Sequence, residues 1–163
     1  MTLDPQMIAV MKKRATLTGR AGDVADLALD EIRNGYNAER VWWNEIKPEM
    51  HDVINTHVAG PVRDIPIRIY KPNDLDEGPT LLYLHGGGWI LGNLETHDRV
   101  MRLLADFSGA WVVGVDYALS PEYKFPVALN EVRAVLDWLQ AHGPDHGLDS
   151  AKLGIGGDSA GAN

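Results

Sequence analysis

Two short runs, Leu81 to Leu84 and Trp111 to Val115, are apolar at nearly every position and are bounded by turn residues. A strand with one wet face alternates, whereas a strand apolar at successive positions must be covered on both faces. Between the runs, Val100, Leu103, Leu104 and Phe107 recur at helical intervals over His97 to Phe107. After the second run, Val127, Val132, Val135, Leu136 and Leu139 do the same over Val127 to Leu139, and Leu153 to Gly156 is predicted as a further strand. Strand and helix alternating at these lengths predict an α/β fold, with a mostly parallel sheet and helices on both faces.

Ahead of this region the hydrophobic period is nearer two. Val53 to Val58 and Ile65 to Tyr70 are predicted as an antiparallel pair turning around Gly60-Pro61, followed by a loop over Pro72 to Pro79. The first part reads as helices. Asp4 followed by Pro5 is an N-cap with proline at the first helical position, and Met7, Ile8, Met11 and Ala15 follow at helical spacing. Gly19 to Gly22 breaks that run, and Asp23 is expected to cap a second helix carrying Val24, Leu27 and Ile32. Trp42 and Trp43 are expected to pack in the core. The expected division is residues 1–47 as a helical segment and residues 48–163 as part of an α/β core.

A formal net charge of −8 argues against nucleic acid, because phosphate binding needs a clustered basic surface. The densest basic run, Lys12-Lys13-Arg14, reads as a solvated helix face. No stretch is long and apolar enough to span a bilayer, and Met7 to Met11 is too short for a signal-peptide core, so no membrane partner is expected. The chain has no cysteine, so disulfides and thiolate metal sites are out, and a reducing cytoplasm is expected.

The chemistry is concentrated in two glycine-rich segments, each after a predicted strand. Gly157-Asp158-Ser159-Ala160-Gly161 fits G-x-S-x-G, a sharp strand-to-helix turn that lifts a serine hydroxyl above the sheet. His85-Gly86-Gly87-Gly88-Trp89 carries three consecutive glycines, whose entropic cost an ordinary turn avoids. A loop that aims bare N–H groups at an oxyanion needs them. With the N–H of Ala160, such donors can hold the negative oxygen of a tetrahedral intermediate.

On these residues the chain resembles the hormone-sensitive lipase family of carboxylesterases, within the α/β-hydrolase superfamily, and the bacterial acetyl esterases in particular. The likeness runs from Leu82 through the glycine loop to Asn93, then Thr96-His97-Asp98, Asp116-Tyr117, Ser120-Pro121-Glu122, Phe125-Pro126 and the Ser159 pentapeptide. It implies Ser159 as nucleophile, with Gly87 and Gly88, Gly86 among the candidates, and Ala160 as the oxyanion hole. It also implies an N-terminal helical cap, short acyl esters of small alcohols as substrates, and no cofactor or metal. Trp89 stands where phenylalanine is more usual, and Ala162 where glycine is common.

One departure bears on activity. In this fold the triad follows the order serine, acid, histidine, and only four residues follow Ser159. His85, His97, His142 and His146 are not recruited as the base. His85 reads as a loop histidine holding the glycine turn, and Asp158 as a structural hydrogen-bond partner. The chain is therefore expected to be the N-terminal part of an esterase, inactive alone. Its last strand should present an apolar edge that attracts another chain. Gly154-Ile155-Gly156 lacks the third glycine of a dinucleotide fingerprint, and no phosphate-binding P-loop sequence occurs. Ser120-Pro121-Glu122 lacks the partner motifs of a kinase. The alternative from another class is a catalytically dead binding or receptor module of the same fold.

Overall fold

The first helix starts where its cap residue dictates: Asp4 Oδ1 accepts the Gln6 N–H at 2.7 Å, and α1 runs Pro5–Thr18. The computed structural model describes residues 3–18, 27–73 and 77–163. Helix α2 spans Leu29–Trp43, so Leu27 precedes it, while the predicted cap Asp23 and Val24 lie outside the described residues. The start is set instead by Glu31, whose carboxylate accepts the Ala28 N–H at 3.2 Å. The basic run on α1 faces α2 in part: Arg14 Nε lies 2.9 Å from buried Glu39, and Lys13 Nζ sits 4.9 Å over Trp42. Trp42 and Trp43 meet edge to face and are only half-buried, outside both core clusters, which corrects their expected place in the core. A helix hairpin supplies too few neighbours to enclose two indoles.

Strands β1 (Asp52–Ala59) and β2 (Asp64–Lys71) pair antiparallel in full register across residues 60–63. Strands β3 (Gly78–Leu84), β4 (Trp111–Val115) and β5 (Leu148–Gly157) complete a five-stranded mixed sheet of order β1-β2-β4-β3-β5. β3 pairs parallel with β4 and β5, while β2 meets β4 antiparallel. The parallel half carries the predicted pattern, and β4, at the centre, is buried at every residue. β5 begins five residues before its predicted start, because a bulge opposite Pro79 and Thr80 admits the polar stretch 149–152. There Asp149 Oδ1 accepts the N–H groups of Ala151 and Lys152, which hides the strand from a hydrophobic pattern.

Helices α3 (Asp98–Ser108) and α4 (Val127–His142) cover opposite faces of the sheet. Met101 and Ala105 of α3 pack with Tyr70, Tyr83 and Val112; Val135 and Leu139 of α4 pack with Ile67, Leu82 and Val113. Both helices also bury a carboxylate. Asp98, at the start of α3, is satisfied by Lys47, Tyr70 and Arg102, and Glu131 of α4 is gripped by Arg63 and the Ala118 N–H. Among the described residues no helix is long and apolar enough to cross a membrane, and no cluster of three or more metal-ligating side chains is present.

Candidate active site

β3 and β5 run parallel as neighbours, so the loops leaving their C-terminal ends meet. The first is His85 to Gly92 and the second is the turn around Ser159. Ser159 has φ 49°, a left-handed conformation rare for a residue with a side chain, and it opens a 3-10 turn over Ser159–Ala162 directly after extended Asp158. This is the strained elbow that the pentapeptide predicts.

The spacing of the two flanking glycines has a direct steric cause. A Cβ on Gly161 would stand 2.1 Å from Leu84 O and 2.7 Å from His85 O, and one on Gly157 would stand 2.5 Å from both Leu84 O and Gly161 O. The turn is wedged against the backbone at the end of β3, and the Asp158 N–H donates to Leu84 O at 3.3 Å.

The glycine loop is shaped by three consecutive positive φ angles, 137° at Gly87, 63° at Gly88 and 65° at Trp89. The N–H groups of Ile90 and Leu91 both donate to Gly87 O, which closes the turn. Among the described residues, the N–H groups of Gly87, Gly88 and Ala160 have no partner, so three donors are free on the two loops. Gly86 is different. Its N–H donates to Asp158 Oδ1 at 2.8 Å, so it is committed and drops out of the candidate oxyanion donors.

Asp158 joins the two loops. Its Oδ1 also accepts the Tyr83 hydroxyl at 2.6 Å, and His97 Nε2 lies 3.6 Å away. Burial pushes its carboxyl up, but the hydrogen bonds from Tyr83 and Gly86 and the nearby histidines hold it below its ordinary value. His85 supports the glycine turn: Nδ1–H donates to Gly86 O at 2.9 Å, and its ring stacks on Tyr117 at 4.3 Å. Tyr117 in turn donates its hydroxyl to His85 O at 2.5 Å. Among the described residues His85 Nε2 is buried without a partner, and desolvation lowers the ring to about 4, so it stays neutral near pH 7. His97 is lowered for the same reason, with Asp158 opposing. His142 and His146 pack around Trp138 where β5 begins, and ten residues of strand, roughly 30 Å, separate that end from Ser159.

Two features were not read from the sequence as parts of the site. Ser120-Pro121-Glu122 presents Glu122 to Arg33 of α2, at 2.6 Å, and the Ser120 N–H donates to Trp89 O at 2.9 Å. Beside them an apolar cavity of about 290 Å³ is lined by Trp89, Tyr123, Phe125, Leu129 and Asn163 among others. Arg33 left no signal in the sequence, because a lone arginine on a helix carries no pattern.

A family model described as alpha/beta hydrolase fold matches residues 81–163, half of the chain, and ends on the Ser159 turn. The chain belongs to the α/β-hydrolase fold family. Its sequence is 44% identical over 138 residues to an acetyl esterase of Salmonella paratyphi A, an alignment covering 85% of this chain and 42% of that enzyme. Among solved structures it is similar to a hyperthermophilic esterase from the archaeon Pyrobaculum calidifontis, at 34% identity and a TM-score of 0.89, covering 99% of this chain and 51% of that one. An ester hydrolase from the metagenome of Lake Arreo, solved with a derivative of bipyridine phosphonate, superposes at a TM-score of 0.87 with 35% identity over 98% of this chain and 52% of its own. This α/β-hydrolase chain thus spans about half the length of its relatives, and that half holds the elbow and the glycine loop.

Proposed function

We propose that the whole protein is a carboxylic ester hydrolase acting on short acyl esters through a serine acyl-enzyme. The observation that carries this reading is Ser159 at φ 49° with three unpartnered N–H groups on the two loops that meet there. In this reading Ser159 Oγ attacks the ester carbonyl, and the N–H groups of Gly87, Gly88 and Ala160 receive the oxyanion. The alcohol leaves, and water then releases the acid. Residues 1–47 contribute to a cap, with residues 48–163 in the core. Ser159 Oγ has no hydrogen-bond partner among the described residues, so the acid and histidine of the triad are proposed to come from the part of the relatives that this chain does not cover.

The test is hydrolysis of an aryl acetate by the 163-residue chain and by the longest product of its gene, each beside its Ser159→Ala variant. The 163-residue chain should not exceed the rate of its variant, since losing triad partners costs on the order of 10⁴- to 10⁶-fold in kcat. The longer product should turn over with full dependence on Ser159. Turnover there that survives Ser159→Ala removes the serine mechanism, and fast Ser159-dependent turnover by the shorter chain places the base within these residues.

A further inference from the structure

Arg33 lies in α2, yet the hydrogen bonds of its guanidinium all leave the helix. Nε donates to Ile90 O at 2.9 Å and Nη2 to Ser120 O at 2.9 Å, while Nη1 and Nη2 hold the two Glu122 oxygens at 2.6 and 2.9 Å. A planar fork with five N–H groups can serve two carbonyls and a carboxylate together, and a lysine ammonium cannot. The side chain is 25% exposed and Glu122 is 51% exposed. A pair this open contributes little to stability by itself.

What the fork touches is the glycine loop from its far side. Ile90 lies two residues beyond Gly88, inside the turn that Gly87 O closes. Trp89 is held at φ 65° although it carries a bulky side chain, and the Ser120 N–H fixes its carbonyl. Arg33 therefore binds Ile90 directly and also binds Ser120, the residue that fixes Trp89. At the other end of the loop, Asp158 fixes the Gly86 N–H. The free donors at Gly87 and Gly88 stand between these anchors. Gly88 meets nothing within 4 Å where a Cβ would stand, so no packing there holds the loop in place.

We propose that Arg33 is a positioning residue for the oxyanion loop: its fork to Ile90, Ser120 and Glu122 fixes the Gly87 and Gly88 N–H groups where the developing oxyanion needs them. The helical segment ahead of the sheet then acts on the chemistry through α2, without touching substrate at this residue. This role rests on the ester-hydrolase reading above.

The experiment measures kcat and KM separately for Arg33→Ala, Arg33→Lys and Glu122→Gln in the longest gene product, well below its thermal transition. Arg133→Ala, which loses an exposed ion pair with Asp137 on α4, is the control. A loop displaced by a fraction of an ångström weakens transition-state contacts more than ground-state ones. Arg33→Ala should therefore lower kcat about 10- to 100-fold with KM within about twofold. Arg33→Lys should recover only part of this, Glu122→Gln should lose less, and the control should match wild type. A kcat for Arg33→Ala within about twofold of wild type, or an effect on KM alone, overturns the proposal. Hydrogen exchange on the 163-residue chain reads the same contact without turnover: Arg33→Ala should speed exchange in segments 86–92 and 119–123 and leave β3 and β4 unchanged. Unchanged exchange in those two segments also overturns it. A wild-type product lacking Ser159-dependent turnover sinks the ester-hydrolase reading and the catalytic role with it, while the exchange result still decides whether Arg33 orders the loop.

Discussion

Gly161 has no room for a side chain, since its Cβ would meet Leu84 O at 2.1 Å, whereas Gly88 has nothing within 4 Å. Both glycines belong to the candidate site, and they are there for different reasons. At the elbow, glycine permits two stretches of backbone to touch, so the turn is held by contact with β3. In the glycine loop, Gly88 permits φ 63° and leaves an N–H uncovered, so this position is held through its neighbours along the loop. The ends of the loop are anchored by residues distant in sequence, Asp158 on one side and Arg33 with Ser120 on the other. The elbow is thus stiff by packing, and the loop at Gly88 is fixed by hydrogen bonds on either side with open space above it.

The largest expected effect separates the two glycines. Gly161→Ala drives a methyl into backbone that cannot retreat without disturbing β3, and the loss should be about 3 kcal/mol or more. Gly88→Ala places a methyl in open space and costs only the left-handed conformation, about 1 kcal/mol. Urea unfolding of both variants checks the ordering, and equal losses would mean the elbow is not wedged.

The next effect concerns the histidine beneath the loop. Burial holds His85 at about 4 against an ordinary 6.5, so below pH 6.5 the unfolded chain binds a proton that the folded chain refuses. Stability should be full above that pH and fall by about 3 kcal/mol as pH drops from 6.5 toward 4. Unfolding midpoints across that range should show the slope, with a flatter slope in His85→Gln. An unchanged slope in that variant would show that His85 is not the group responsible.

The smallest effect tests the tie between the loops. Asp158→Asn keeps an oxygen for the Gly86 N–H and the Tyr83 hydroxyl but removes the charge, and should cost about 1 kcal/mol near neutral pH. Because the folded carboxyl is held below its ordinary 3.8, the advantage of the charged side chain is present above this value and fades as pH falls through the folded value. Urea unfolding of wild type and Asp158→Asn, compared at neutral pH and again near pH 2, reads that difference. A gap between the two proteins that persists undiminished in acid would show that the charge is not what holds the loops.

Local pattern along the chain suffices for the parallel half of the sheet, the two covering helices, and the sharp turn at Ser159. Each rests on local rules, such as burial on both faces of the runs at 81–84 and 111–115, helical spacing over 127–139, and a pentapeptide whose glycines have a steric cause. The three glycines after His85 were legible as an unusual loop, but which N–H groups stay free was not. Gly86 gives its donor to Asp158 and Gly88 does not, and only the approach of β5 to β3 decides that. The early start of β5 was hidden because Asp149 satisfies backbone N–H groups inside a bulge, where hydrophobic periodicity has nothing to report. Arg33 and Glu122 were out of reach for a related reason. They are 89 residues apart, and a fork that closes over such a separation leaves no periodic trace in the chain. Local rules set each element, and the contacts between elements set which atoms are left for chemistry.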